Sequence, residues 1–459
     1  MRTLFLMLEY VNLDDNDIEK YIFELRKSFK WDLVTLREHQ KKYLRNLLFH
    51  AKKKSKYYRS VLKSIDIDSI DLSNINQIPI MTKEIMMEHW DDIVTDKQLS
   101  LGKIEKHLQK MRIDPQLLCY QDNYHVLVTS GSSGKRGIFV YNQHEWKIYY
   151  AMFHRYGYKK QNNLFKKITI AILGVEYQIY GIVALANTVT RKLTNTMHVN
   201  MLAPIDNTIK LLNDTEPDVL QSNPSFICQL ATLVLEGVLR INPSIISVGA
   251  QVLLESQRHL ILKAWPQADI YNTYGASEGI AGVVCKGNAV KMHLNEDLCV
   301  IEPVDRENLP VMKQKMSDKI LLTNLFNYTF PLIRYEIPDK IQFLDEQCQC
   351  GVTHQLIAEP GGRSGLEFIY NHGLLVSPIV FSAELLLEPK IIEYQVFQTD
   401  KGASIHIMVN GYVNIPHLTQ RIVTNLTRIG LVNPEINFRI VEKLQYLESG
   451  KLQRFICGN

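Results

Sequence analysis

Apolar positions along the chain change their period near residue 124, and the two textures predict two kinds of architecture. Between residues 16 and 60, Leu33, Leu36, Tyr43, Leu44, Leu47, Leu48 and Ala51 recur at helical spacing with Lys, Arg and Gln between them. That spacing predicts helices. From Tyr124 onward short apolar runs take over, and His125–Thr129, Ile168–Leu173, Asp218–Gln221, Ile245–Val248 and Asp269–Tyr274 predict strands. Amphipathic segments separate several of them, and Pro224 stands where the first turn of a helix tolerates proline. Alternation of this kind implies an α/β fold whose large domain has parallel-rich sheets covered by helices. A Gly-rich break at Glu359-Pro360-Gly361-Gly362-Arg363-Ser364-Gly365 sets off a last piece of about 95 residues. The expected division is 1–363 as an N-terminal core, with a helical leader over about 1–120, and 364–459 as a small mobile α+β domain.

Composition narrows the function classes. Hydrophobic residues at 46% and charged residues at 22% exclude a disordered or collagenous chain. Lys and Arg number 52 against 48 Asp and Glu, a small excess with no long basic tail. The densest run, Lys52-Lys53-Lys54-Ser55-Lys56 near Arg59, reads as a solvated helix face, so nucleic acid is not an expected partner. No stretch reaches the ~20 apolar residues of a membrane span. The apolar start Met1–Leu8 is interrupted by Glu9 with no small-residue cleavage site before Asp14-Asp15, so the expected location is cytoplasmic. Seven cysteines, an odd number in a long chain, suit reduced thiols or metal ligands better than a disulfide framework.

Four segments carry candidate chemistry. Val128-Thr129-Ser130-Gly131-Ser132-Ser133-Gly134-Lys135-Arg136-Gly137 lies between two β-rich runs. Its glycines and hydroxyls on a tight turn expose the N–H and O–H donors that a polyphosphate needs, and Lys135 and Arg136 add positive charge. It is not a Walker loop, which requires G-x-x-x-x-G-K-[ST] opening a helix. Tyr271-Asn272-Thr273-Tyr274-Gly275-Ala276-Ser277-Glu278-Gly279 ends a predicted strand, where open α/β sheets hold ligands, and offers an aromatic face and a carboxylate for Mg2+. Leu332 to Asp339 closes on a carboxylate suited to a ribose diol, and Glu448-Ser449-Gly450-Lys451 places a lysine near the terminus. Taken singly, each is more often an ordinary strand, turn or solvated tail. A separate set, Cys348-x-Cys350 before Gly351 with Cys285 and His293, has the three thiolates and one imidazole of a closed tetrahedral zinc site.

In this order and spacing the pieces resemble the adenylate-forming acyl-ligase superfamily, and most of all its phenylacetate–coenzyme A ligase and capsule-type branch. Ile78-Pro79-Ile80-Met81-Thr82-Lys83, Pro217 to Ser225 and His293-Leu294-Asn295-Glu296-Asp297 add to the likeness, which runs from about residue 35 to the end. The resemblance implies that Thr129, Ser130, Gly131, Ser132, Ser133, Gly134 and Lys135 hold the ATP phosphates. It implies that Gly249, Ala250, Gln251, Asn272, Thr273 and Tyr274 line the adenine side, and that Asp339 takes the ribose with Arg363 close by. Glu278 would coordinate Mg2+, and Lys451 would bridge carboxylate and α-phosphate during adenylation. Tyr177, Tyr180, Ser222, Ser225, Ser247, Tyr271, Gly275 and Ala276 are the acid-pocket candidates, whose aromatic or small side chains favour a flat aryl or apolar acid. Members of that branch can carry a zinc site at positions like the Cys/His set.

The chain departs from the family pattern in three places. Gln251 stands where Glu is common, Ile337-Pro338 replaces Thr-Gly before the ribose Asp, and Gly365-Leu366 replaces an acidic pair after Arg363-Ser364. Since Glu278, Asp339 and Lys451 remain, the implied activity is ATP-dependent formation of an acyl-adenylate from an organic acid. The acyl group then passes to the thiol of coenzyme A or of a carrier protein's phosphopantetheine. The alternative is a ligase-fold protein that binds an acyl chain or carrier protein without efficient adenylation.

Overall fold

The computed structural model describes residues 15–113, 117, 119–129, 136–156, 168–174, 194–201, 203–250, 253, 255–285, 288–358, 368–376, 378–385, 387–388, 390–409, 411–445 and 454–458. The leader is helical as its periodicity predicts: α1 (Asp15–Lys27), α2 (Leu33–Lys54), α3 (Lys56–Val61), α4 (Lys83–Glu88), α5 (Trp90–Ile93) and α6 (Leu101–Ile113). Asp32 accepts the Thr35 N–H to start α2, and Ser55 accepts the Tyr58 N–H to start α3. Leu36, Leu44, Leu47, Leu48 and Ala51 are fully buried, whereas Leu33 and Tyr43, expected on the same stripe, are exposed. Leu33 opens the helix, and Tyr43 sits one residue, about 100°, round from Leu44, where its ring meets His39 at 4.3 Å instead.

The β-rich part divides into sheets. A hairpin pairs β1 (Tyr124–Val128) with β2 (Ile138–Asn142), and helix α7 (Gln143–His154) follows directly. An Asn142–Glu145 capping box starts α7, and the Glu145 carboxylate also accepts the N–H groups of Tyr328 and Thr329. The large sheet contains β3 (Ile168–Gly174), β4 (Thr194–Asn200), β5 (Val219–Ser222), β6 (Ile245–Gly249), β7 (Asp269–Ala276), β8 (Ile280–Cys285) and β9 (Asn288–Leu294). A second sheet is formed by β10 (Cys299–Val304), β11 (Lys319–Asn324) and β12 (Tyr335–Ile337), and β13 (Leu356–Ile357) returns to edge the first. The large sheet runs β13-β9-β8-β7-β6-β5-β3-β4, parallel from β4 to β7 and antiparallel from β7 to β13. β7 continues past the expected end at Tyr274 because pairing of Gly275 with Ala281 and of Ala276 with Ile280 keeps it extended.

Beyond residue 367, β14 (Phe368–Tyr370) and β15 (Leu374–Val376) form a hairpin. β16 (Ile391–Thr399), β17 (Gly402–Val409), β18 (Glu435–Ile440) and β19 (Phe455–Ile456) form a sheet in the order β18-β17-β16-β19. Helix Ile415–Arg428 buries Leu418, Ile422 and Leu426 against it. Phe368, Phe381, Tyr394 and Phe455 share one apolar cluster with Ile227 and Leu230 of helix Pro224–Leu235, so this lobe and the large sheet are packed together.

Candidate active site and metal centre

The β1–β2 hairpin closes at its neck through backbone and side chain together. Thr129 N–H donates to the Gly137 carbonyl at 3.0 Å, and Gly137 N–H donates to Thr129 Oγ1 at 2.9 Å. A Cβ at 137 would lie 2.9 Å from the Phe139 ring, so the close approach demands glycine. Trp90 Nε1 donates to the Ile138 carbonyl, and Arg136 pairs with Glu105, which anchors the hairpin to the leader. Ser130, Gly131, Ser132, Ser133, Gly134 and Lys135 lie outside the described residues, as do Gln251, Arg363, Lys451, Tyr177 and Tyr180.

The carboxyl ends of β5, β6 and β7 lie side by side, which is where α/β sheets place ligands. Gly249 pairs with Thr273, and a Cβ on it would approach the Thr273 carbonyl to 3.0 Å. Ala250 then leaves the strand in the left-handed region at φ +64°. Register separates the acid-pocket candidates by face. Gln221, Ser247 and Tyr271 are aligned neighbours on one face, and Ser222, Val248 and Asn272 on the other. The structure therefore does not bring Ser222 to Tyr271; its buried hydroxyl donates to the Leu173 carbonyl at 2.8 Å. Ser225 falls in the first turn of helix Pro224–Leu235.

The turn after β7 brings the distant motifs together. Tyr274 Oη donates to Asp339 Oδ2 at 3.1 Å, joining the strand-end aromatic to the expected ribose carboxylate 65 residues on. Glu278 is buried in the turn, and Gly279, at φ +95°, crosses so close to Asn324 that a Cβ would lie 2.0 Å from its Nδ2. Asn324 Nδ2 donates to the Glu278 carbonyl, Tyr141 Oη to the Ser277 carbonyl and Tyr149 Oη to the Ala276 carbonyl. Burial, reinforced by neighbouring charge including Glu278, holds both tyrosine hydroxyls well above their ordinary range, so they stay protonated donors. Phe153 packs over Gly275, where a Cβ would meet its ring at 2.7 Å. Tyr141, Tyr149, Phe153 and Asn324 escaped the motif reading. The aromatic spacing Trp146, Tyr149, Tyr150, Phe153 on α7 was the available signal, though that pattern more often marks core.

At the far end of β8, the ligand atoms of Cys285, His293, Cys348 and Cys350 all lie within 4.8 Å of one another. Cys285 Sγ is 3.3 Å from Cys348 Sγ, and Cys350 Sγ is 3.2 Å from His293 Nε2. His293 Nδ1 lies 3.0 Å from the His354 carbonyl, to which an Nδ1–H would donate, turning the Nε2 lone pair toward the thiols. The Cys348–Gly351 turn is made possible by Gly351 at φ +80°. The four donors fit a closed zinc set with no open position. Beside it, Tyr156 stacks on His293, and the buried Arg155 makes two bonds, of 2.5 and 2.7 Å, to Asp297. Burial alone would raise the Asp297 carboxyl, yet the Arg155 guanidinium holds it well below the usual carboxylate range.

One further Cys–His contact is chemically quiet. Cys119 Sγ is 3.4 Å from His125 Nε2, but burial pushes the thiol up to about 11 and the imidazole down to about 3. Both are neutral near pH 7, so no thiolate–imidazolium nucleophile forms there.

The hairpin neck at Thr129 and Gly137, the glycine-bordered parallel strand ends and the Tyr274–Asp339 link make up the described part of the candidate site. No protein-family model matches the chain. In sequence it is 24% identical over 432 residues to protein CapK of Staphylococcus aureus, spanning 89% of this chain and 86% of that one. A phenylacetate–coenzyme A ligase of Thermus thermophilus is 26% identical over 203 residues, 42% of this chain and 45% of that one. In structure, 2-hydroxyisobutyryl-CoA ligase in its postadenylation state matches with a TM-score of 0.59 at 14% identity, covering 94% of this chain and 91% of that one. The same ligase with 2-HIB-AMP and CoA, in the thioesterification state, gives a TM-score of 0.60 over the same shares. The fold is that of adenylate-forming acyl-CoA ligases, and the sequence relatives include protein CapK and a phenylacetate–coenzyme A ligase.

Proposed function

We propose that the chain is an AMP-forming acid–thiol ligase. It activates an organic acid with ATP as the acyl-adenylate and passes the acyl group to the thiol of coenzyme A. The observation that carries this reading is the Tyr274–Asp339 hydrogen bond. It fastens the strand-end aromatic to a carboxylate able to take ribose hydroxyls, beyond a carboxyl strand end, where open α/β sheets hold ligands. A carboxylate is a poor electrophile, and attack on the α-phosphorus brings two anions together, so positioning and charge neutralisation are the main requirements. The Thr129–Gly137 hairpin supports a phosphate-holding role for residues 129–135, and the buried turn supports Glu278 as the holder of Mg2+. Lys451 supplies the cation between carboxylate and α-phosphate, and the Gly-rich break at 359–365 acts as the hinge between 1–363 and 364–459. A phosphopantetheine thiol on a carrier protein would enter by the same chemistry as coenzyme A. Cys285, His293, Cys348 and Cys350 would hold zinc in a structural role, tying the β8–β9 hairpin to the 348–351 turn away from the reaction.

The test is pyrophosphate release screened over aryl, fatty and amino acids, phenylacetate first, with and without coenzyme A. Acid-dependent release that Lys451→Ala lowers by about 10³ or more supports the reading. Acyl-chain binding without any acid-dependent release would replace it with the non-adenylating alternative.

A further inference from the structure

β7 lies in the middle of the large sheet, between β6 and β8, yet one of its faces is open. Ile270 and Asn272, on one face, are buried, whereas Tyr271 and Thr273 on the other are half-buried and Gly275 is exposed. A central strand shows one open face where the layer covering the sheet leaves a cleft. Beside it on that face, Ser247 is aligned with Tyr271 and Gly249 with Thr273, both small and uncharged. On the other side the same face passes under α7, and Ala281 of β8, paired with Gly275, is fully buried. Phe153 stands at this margin between covered and open sheet. Its ring takes the space of a Gly275 side chain, since a Cβ there would lie 2.7 Å from two ring atoms. The ring is half-buried, and Tyr149 backs it edge-on at 5.4 Å while donating its hydroxyl to the Ala276 carbonyl. Tyr149 is itself buried and stacked on Trp146, so the Phe153 ring has no room to retreat.

We infer that Phe153 is a specificity-determining residue that restricts bulk on the carbon next to the acid's carboxyl group. The substrate class is then acids unbranched at that carbon, with a flat or linear uncharged tail. The inference deepens the ligase reading above and rests on it. In that reading the Tyr274–Asp339 bond marks the nucleotide end, at the carboxyl end of β7, and the open face runs back from Gly275 to Tyr271. An acid whose carboxyl group meets the nucleotide therefore lays its tail toward Tyr271, and its first carbon passes Gly275 under the Phe153 ring. Against a wall that cannot yield, one methyl group too many costs about 10–200-fold in kcat/KM.

Full-length parent and Phe153→Ala are compared by pyrophosphate release with ATP. The acids are phenylacetate, 2-phenylpropionate and 2-methyl-2-phenylpropionate, or the same methyl series on another unbranched acid the screen returns. The readout is the ratio of kcat/KM between the unbranched and the dimethyl acid, which general damage to the fold lowers for both alike. The parent is expected to prefer the unbranched acid by about 100-fold or more. Phe153→Ala should cut that ratio by about tenfold or more, with KM for ATP within about threefold of the parent. If Phe153→Ala fails to fold, Phe153→Leu, which removes the flat ring and keeps apolar bulk, carries the same comparison with a smaller shift. A parent that accepts both acids equally, or a ratio that the substitution leaves unchanged, overturns the inference and leaves the ligase reading standing. Absence of release from the parent with every acid overturns the ligase reading instead, and the same ratio is then read as affinities by titration calorimetry. Equal affinities there, or no binding, overturn the role of Phe153 as well.

Discussion

The two ends of the β7–β8–β9 ribbon are built by opposite means. At one end, the Ser277–Gly279 turn is shaped by backbone: Gly279 crosses Asn324 at a distance only glycine permits, and three side chains donate to the carbonyls of Ala276, Ser277 and Glu278. At the other end, Cys285 and His293 meet Cys348 and Cys350 through side-chain donors, and the backbone there tolerates a register shift between Val284 and Cys285. The first end buries the Glu278 carboxylate in its turn and bonds the Tyr274 hydroxyl to Asp339. The second consumes every donor it gathers. One end is thus fixed through backbone carbonyls and a glycine crossing, and the other through side-chain donors gathered from three segments.

Separating the ends by experiment sharpens the contrast, and the largest effect belongs to the staple. Protein purified without a metal-binding tag should contain about one zinc per chain. Cys350→Ser should lose it and drop the melting temperature by at least 5 °C, while adenylation per folded molecule stays within a few-fold of the parent. Zinc content below a tenth per chain would remove the staple from the comparison. Arg155→Leu comes next, since it strands the buried Asp297 carboxylate beside that cluster and should cost about 3–5 kcal/mol in denaturant unfolding. A loss under about 1 kcal/mol would mean the pair contributes little to holding this end. At the reactive end, Glu278→Gln should raise the Mg2+ requirement and slow adenylation by about 10²-fold with zinc content unchanged. A Mg2+ titration that overlays the parent's would take Glu278 out of that role.

The smallest expected effect is a pH slope set by the aromatic core between the two ends. Burial lowers His125 to about 3 and His154 to about 4, and each ring stacks flat on a neighbour, Trp146 at 4.2 Å and Tyr150 at 4.1 Å. The unfolded chain takes up these protons below about pH 6.5 while the folded chain does not, so stability falls as pH drops through that window. Each histidine should add up to about 1.4 kcal/mol per pH unit between about pH 6 and 4, and His125→Phe should flatten its share of the slope. Unfolding free energies at pH 6.5, 5.5 and 4.5 check this. Parallel slopes for parent and variant would show that His125 does not stay neutral.

Much of this protein was legible along the chain because its signals are local. The helical stripe of α2 and the strands β3, β5, β6 and β7 depend on neighbours within a few residues, where period acts directly, whereas the polar run of β4 gave no such signal. The Cys348-x-Cys350 pair with Cys285 and His293 could be named as candidates, but β9 and β13 had to pair, setting Leu356 against His293, before those donors met. The resemblance likewise put Ser222 and Tyr271 in one acid pocket, and only the register sent them to opposite faces, because one residue of offset reverses a side chain. Asn324 under Gly279 and Gln395 on Gln445 left no trace in spacing at all. Residue types and local periods settle which elements form and which chemistry is on hand. Contacts between residues tens to hundreds of positions apart exist only once the sheets close, and tertiary structure alone decided which groups would meet.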